Sequence, residues 1–175
     1  HNRRVTYFGG NSEMYGKTDV QDFDRIEGYE DHAVEMLFTW DPSQCLTGII
    51  LNLACPSQIV EGENYVSADY WHDVRAEIRR RHSADLFIFP QCSAAGDQSP
   101  HLLLYRAAEA ETRKRRGVTE RQEVAERMAD AVDHVYRAAQ SDIHTDVPFQ
   151  HHVETLDLPL RKLSHDDFAA ALDYV

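Results

Sequence analysis

Cysteine is scarce. Cys45, Cys55 and Cys92 are the only three in 175 residues. They are odd in number, widely spaced and form no Cys-x-x-Cys pair, which excludes a disulfide framework and a zinc ribbon. No apolar run is long enough to span a bilayer, so no transmembrane segment is expected. Positive charge is also short: 18 Lys and Arg stand against 30 Asp and Glu, a formal charge of −12. A surface of that sign does not neutralise phosphates, so nucleic acid is not an expected partner. The local exception, Arg113-Lys114-Arg115-Arg116, precedes Gly117 in a charge-rich segment and reads as the solvated end of a helix. Internal repeats and low-complexity stretches are absent, as is the Gly-x-Ser-x-Gly elbow of a serine hydrolase triad.

What is present suits a folded domain. With 42% apolar residues the chain can bury a core, and a single α/β domain over 1–175 is expected. His1 in place of Met, and an amphipathic pattern running to the last residues, suggest part of a longer chain.

Along the chain, residues 1–19 show no sustained period and read as a short strand at best, followed by a long loop. Val34–Trp40 reads as a strand, Asp41-Pro42-Ser43 as a turn and Leu46–Ala54 as a second strand, forming a hairpin. Ser67 or Asp69 caps a helix with Trp71, Val74 and Ile78 on one face, ending near His82. Asp85–Phe89 is a short apolar run of the kind buried on both faces, so strand, helix and strand predict a crossover in a mixed sheet. A helix over Leu102–Lys114 follows. Thr119 with Gln122 forms a capping box for a helix whose apolar face is Val124, Met128, Ala131, Val132 and Val135. Phe149–Leu160 alternates weakly as a strand, and Ser164 caps a last helix through Phe168 and Leu172.

Chemistry is expected on a rim at the carboxyl ends of the strands. Leu46–Ala54 runs into Cys55-Pro56-Ser57-Gln58, and DLFIFP runs into Gln91–His101. In the second loop Gly96 permits a turn, Pro100 can start a helix near His101, and Ser99 falls close to its N-terminus, where free amides favour an oxyanion. The simpler reading is also open: Asp97 and Ser99 are good helix caps. Cys55 alone is more often a small buried residue than a ligand. His151-His152 on a strand would point to opposite faces and could not chelate one ion.

Four ordered segments carry a resemblance. Asn2-Arg3, Leu46–Gln58, Ser67-Ala68-Asp69 and Gly96-Asp97-Gln98-Ser99-Pro100-His101 resemble, in order and spacing, the Asn-Arg segment, the strand ending in His-Pro/Gly-Thr-Ser, the Ser-Ser-Asp and the Gly-Asp-Val-Ser-Pro-Asn of the neutral (non-lysosomal) ceramidase family. It covers the chain to about Tyr105. The family comprises zinc-dependent hydrolases that cleave the N-acyl amide of ceramide. The resemblance implies Ser99 as the catalytic serine with Asp97 beside it, Arg3 and Asn2 as substrate-binding with Gly96 and His101, zinc as cofactor, a small-molecule or lipid amide as substrate, and an extracytoplasmic location. Cys55 stands where the family has a zinc-binding histidine. A thiolate is a competent zinc ligand, but a catalytic site needs three protein ligands and an open position. The alternative is a relative that lost zinc and serves as a binding or structural domain.

Overall fold

A computed structural model describes residues 1–160 and 162–172. The chain divides into two compact units, His1–Ile143 and His144–Val175.

The first unit holds two three-stranded sheets. β1 (Arg4–Tyr7) is central in one, flanked antiparallel by β2 (Ser12–Met14) and β3 (Phe23–Ile26). The sequence reading, which allowed one short strand here, is corrected. These strands have three or four residues each, too few for a hydrophobic period to show. Val5 and Tyr7 turn inward against Leu103 in a small core.

The second sheet has the order β4-β5-β6, with β4 (Val34–Trp40) and β5 (Leu46–Leu53) antiparallel and β6 (Phe87–Cys92) parallel to β5. It is a mixed sheet, and the expected hairpin is its first half. The parallel pairing of β5 and β6 follows a connection that contains α1 (Tyr70–Arg81). A general α/β architecture is thereby present.

β6 departs from expectation twice. It begins later than Asp85 and runs through Pro90 to Cys92. β6 is an edge strand, where a residue without an N–H is tolerated. It is also not buried on both faces: Ile88 is buried while Phe87 and Phe89 are exposed.

One face of this sheet carries the main core. Ile49, Leu51 and Ile88 meet Trp71, Val74 and Ile78 of α1 and Ala125, Met128, Ala129 and Val132 of α3 (Glu120–Ala139). Alternation along the strands turns the next residues away from that core. Hence Leu37, Ile50 and Phe89, aligned in register across all three strands, lie on the opposite face.

The helix signals have physical counterparts. Asp69 caps α1 through its carboxylate, which accepts from Tyr70 N at 2.7 Å and from Val60 N at 2.8 Å. Asp69 has φ 53° and ψ −143°, a positive-φ conformation outside the left-handed helical region, held by these two bonds. The Thr119 and Gln122 capping box forms in full. The buried stripe of α3 is rotated slightly from the one expected: Ala125 and Ala129 are buried and Val135 is exposed. α2 (Arg106–Arg116) starts four residues later than Leu102 and ends at Gly117, whose φ of 69° closes the helix. The basic run is its last turn. Arg113 and Arg116 pair with Glu123, 6% exposed, which also receives Arg127.

In the second unit, α4 (His165–Leu172) is capped as expected, with Ser164 Oγ accepting from Asp167 N at 3.1 Å. The expected strand over Phe149–Leu160 is not formed. Weak alternation does not fold a strand without a neighbour to take its backbone bonds. The opposite-face reading of His151 and His152 lapses with it.

Candidate functional site

The loop after β6 is fastened to the start of the chain. Asn2 Nδ2 donates to Asp97 Oδ2 at 3.0 Å, Arg3 N donates to Asp97 O at 2.8 Å, and Ser99 N donates to His1 O at 2.8 Å. Asn2 pairs with Gln98 in an isolated antiparallel bridge. Asn2 is 2% exposed, and its Oδ1 accepts from Arg4 N at 2.9 Å. Gly28 leaves the space that Asn2 occupies, since a Cβ there would stand 2.6 Å from Asn2 Nδ2. The His1 ring spans the same junction. Its Nε2 accepts from Leu103 N at 3.1 Å, so its proton sits on Nδ1, which faces Asn2 O at 2.7 Å.

Ser99 is fully buried. Its Oγ accepts from His101 N at 3.0 Å and from the Tyr15 hydroxyl at 3.2 Å. The first bond is a local Ser turn. The expectation that a helix starts near His101 is corrected: α2 begins at Arg106, so its dipole end is remote in sequence from Ser99. Gly96 has no positive φ and open space around it, so the turn there does not require glycine. No imidazole or carboxylate lies within hydrogen-bonding distance of Ser99 Oγ among the described residues. Two donors converging on one hydroxyl oxygen stabilise negative charge on it. They do not remove its proton.

Tyr15 and Glu61, which no sequence pattern marks, join this group. Tyr15 has φ 57° and donates its own N–H to Arg3 O at 2.7 Å. Its ring meets the His101 ring edge-on at 6.0 Å. His101 Nε2 lies 3.1 Å from Glu61 Oε1. A left-handed tyrosine between two polar loops leaves no periodic trace; the one available signal was its place in the aromatic and glycine-rich opening segment. Tyr15 and His101 also border a cavity of about 530 Å³, which extends to Leu102, Arg106, Arg113 and Glu120. A ligand there meets Tyr15 and His101, with Ser99 behind them.

Asn2, Asp97, Ser99 and His101 are therefore brought together, with Gly96 at the edge of the group. Arg3 joins through its backbone, and its guanidinium makes no hydrogen bond or ion pair among the described residues. Cys55 follows β5, and its carbonyl accepts the Tyr70 hydroxyl at 2.6 Å. Leu53 lies opposite Cys92, and Ser93 N donates to Leu53 O at 3.1 Å, so the Cys55 and Ser99 loops leave the same end of the β5–β6 pair. Burial pushes the Cys55 thiol up, favouring its neutral form. Among the described residues no three His, Cys, Asp or Glu side chains are grouped to hold a metal ion.

No protein-family model, curated protein or solved structure matches the chain.

Proposed function

We propose that the protein is a ceramidase-like hydrolase that cleaves an N-acyl amide bond, its site on the rim at the carboxyl ends of β5 and β6, with α1 as the crossover helix between them. The observation that carries this reading is the bond from Asn2 Nδ2 to Asp97 Oδ2 at 3.0 Å. It joins two of the motifs on which the resemblance rests, distant in sequence, around Ser99. On this reading Arg3, with its guanidinium free, orients the substrate's polar groups. Ser99, buried behind Tyr15 and His101, is a positioning residue: its Oγ takes the Tyr15 hydroxyl and the His101 N–H and so fixes both groups that face the ligand. Asp97 and Asn2 hold the loop in register, Gly96 lies at its entry and the His101 ring faces the ligand.

Zinc belongs to the proposal through Cys55 alone. The family's chemistry uses the ion to polarise the carbonyl or activate water. The donor set among the described residues is incomplete, and burial favours the protonated thiol. These residues therefore do not by themselves fit a catalytic zinc.

The complete burial of Ser99 favours a second reading, a binding or structural relative in which Ser99 serves as a turn residue. Metal analysis of the full-length protein, together with hydrolysis of N-acyl amides by wild type and Ser99→Ala, separates the two. Turnover of an N-acyl amide, with a rate lowered by about 100-fold in the variant, is expected for the hydrolase. Absence of metal with no turnover of any amide would leave the binding reading standing.

A further inference from the structure

We infer that the cavity beside Tyr15 and His101 takes a carboxylate carried by the substrate, so that the amide cleaved is that of an N-acylated amino acid. The inference rests on the hydrolase reading for the cleavage and on the cavity for the charge.

The lining has two guanidiniums, Arg106 and Arg113, against one carboxylate, Glu120. That leaves one positive charge in a chain whose formal charge is −12. The two arginines are not equivalent. Arg113 is engaged by Glu123 at 3.4 Å and Glu120 at 3.9 Å. Arg106 uses its Nε on Leu102 O at 2.5 Å, and no carboxylate pairs with it among the described residues. Its terminal nitrogens are free for a second, forked interaction, the geometry that suits a carboxylate. A second cavity of about 570 Å³, also lined by Tyr15, has the same balance, with Arg106 and Lys17 against Asp19. Arg106 is common to both.

Size and polarity point the same way. Between the charged groups the first cavity offers only the Tyr15 ring, Leu102 and Ala110 as apolar wall. A long lipid chain needs a continuous apolar groove, whereas a short acyl chain needs little more than this. The fitting substrate is an amide with a short acyl group and a carboxylate a few bonds away. His101 and Tyr15 then face the amide while Arg106 holds the acid.

The test measures binding, which is independent of turnover. N-hexanoylglycine and its neutral counterpart N-hexanoylglycinamide are titrated calorimetrically into the full-length wild type, Arg106→Gln and Arg106→Lys. The acid is expected to bind wild type about tenfold more tightly than the amide, a preference that weakens with added salt. The ratio should fall to about one in Arg106→Gln and recover in part in Arg106→Lys. Equal affinities in wild type, an unchanged ratio in Arg106→Gln, or no binding of either compound at millimolar concentration would overturn the inference. Selective binding of the acid without turnover would defeat the hydrolase reading and leave the carboxylate site intact.

Discussion

At the residue scale Asn2 shows how closely one side chain can be specified. It is buried, donates to one carboxylate and accepts a backbone N–H, while its own N–H goes to Glu30 Oε1 at 3.2 Å. An amide suits this position because it can donate toward Asp97 and accept from Arg4 at once. Asn2→Asp keeps the shape and the acceptor but sets a second carboxylate 3.0 Å from Asp97 Oδ2. Like charges at that distance cannot both ionise cheaply, so one carboxyl of the pair has its pKa raised in the folded state. A raised acid binds more protons folded than unfolded, and its penalty shrinks as pH falls. The variant is expected to lose about 3 kcal/mol at pH 7 and about 1 kcal/mol at pH 4. Urea melts at the two pH values check this; an equal loss at both would mean that the carboxylates do not interact. Ser99 illustrates the same principle from the acceptor side, since removing its Oγ strands two donors in a buried place.

At the element scale α1 and α3 are held together by apolar packing, by Arg121 of α3 on Asp73 of α1 at 3.4 Å, and by a cluster around Arg81. Arg81 Nε donates to Glu77 Oε1 at 2.7 Å, and its Nη1 reaches Asp130 at 2.6 Å and Asp133 at 2.7 Å. His82 Nε2 adds a contact to Asp133 at 2.9 Å. Hydrogen bonds from Arg80, then from Arg81, pull the Glu77 carboxyl down to about 2. A lowered carboxyl pKa gives stability that is fully present above the unfolded value and disappears as pH falls through the folded one. The window runs from about pH 4.5 down to about 2. Glu77→Gln is expected to cost about 1 kcal/mol at pH 7, a modest figure because the Arg80 partner is solvent-screened. The gap between variant and wild type should close between pH 4.5 and 2. Thermal melts across that range measure it, and a gap that stays constant would place the stabilisation elsewhere.

The elements that sequence patterns revealed are those whose signals are local. The Thr119 and Gln122 capping box, the Asp69 cap, the Ser164 cap and the β4–β5 hairpin lie where residue spacing put them. β1 to β3 were not legible, because strands this short are recognisable only from their partners. Pro90 misled for a related reason. It looks like a stop until β6 is known to be an edge. In the site, Asp97, Ser99, His101 and Asn2 could be named from motif residues. Tyr15 could not, because its bond to Ser99 spans 84 positions and leaves no local pattern.

At the scale of the whole molecule, the mixed sheet has one face packed on α1 and α3, and its opposite face carries an apolar strip bordered by Glu35, Asn52 and Gln91. Leu37, Ile50 and Phe89 align across it, and Phe87 stacks on Phe89 with ring centroids 6.3 Å apart. Phe87 is 63% and Phe89 45% exposed, so together they present a contiguous aromatic surface. Isolated exposed apolar residues are common, but a paired aromatic patch on a flat sheet face is a place where an apolar dye binds without unfolding. The 175-residue chain in its native state is therefore expected to enhance anilinonaphthalene sulfonate fluorescence. Phe87→Thr with Phe89→Thr should reduce the signal by at least about half. Threonine keeps β-propensity and neither phenylalanine packs in the main core, so the melting temperature should move by no more than about 4 °C. Dye fluorescence and circular dichroism melts on the same samples give both readings. If the signal persists in a fully folded double variant, the dye sits elsewhere, and the β5–β6 face is not the apolar surface that dominates the unit His1–Ile143.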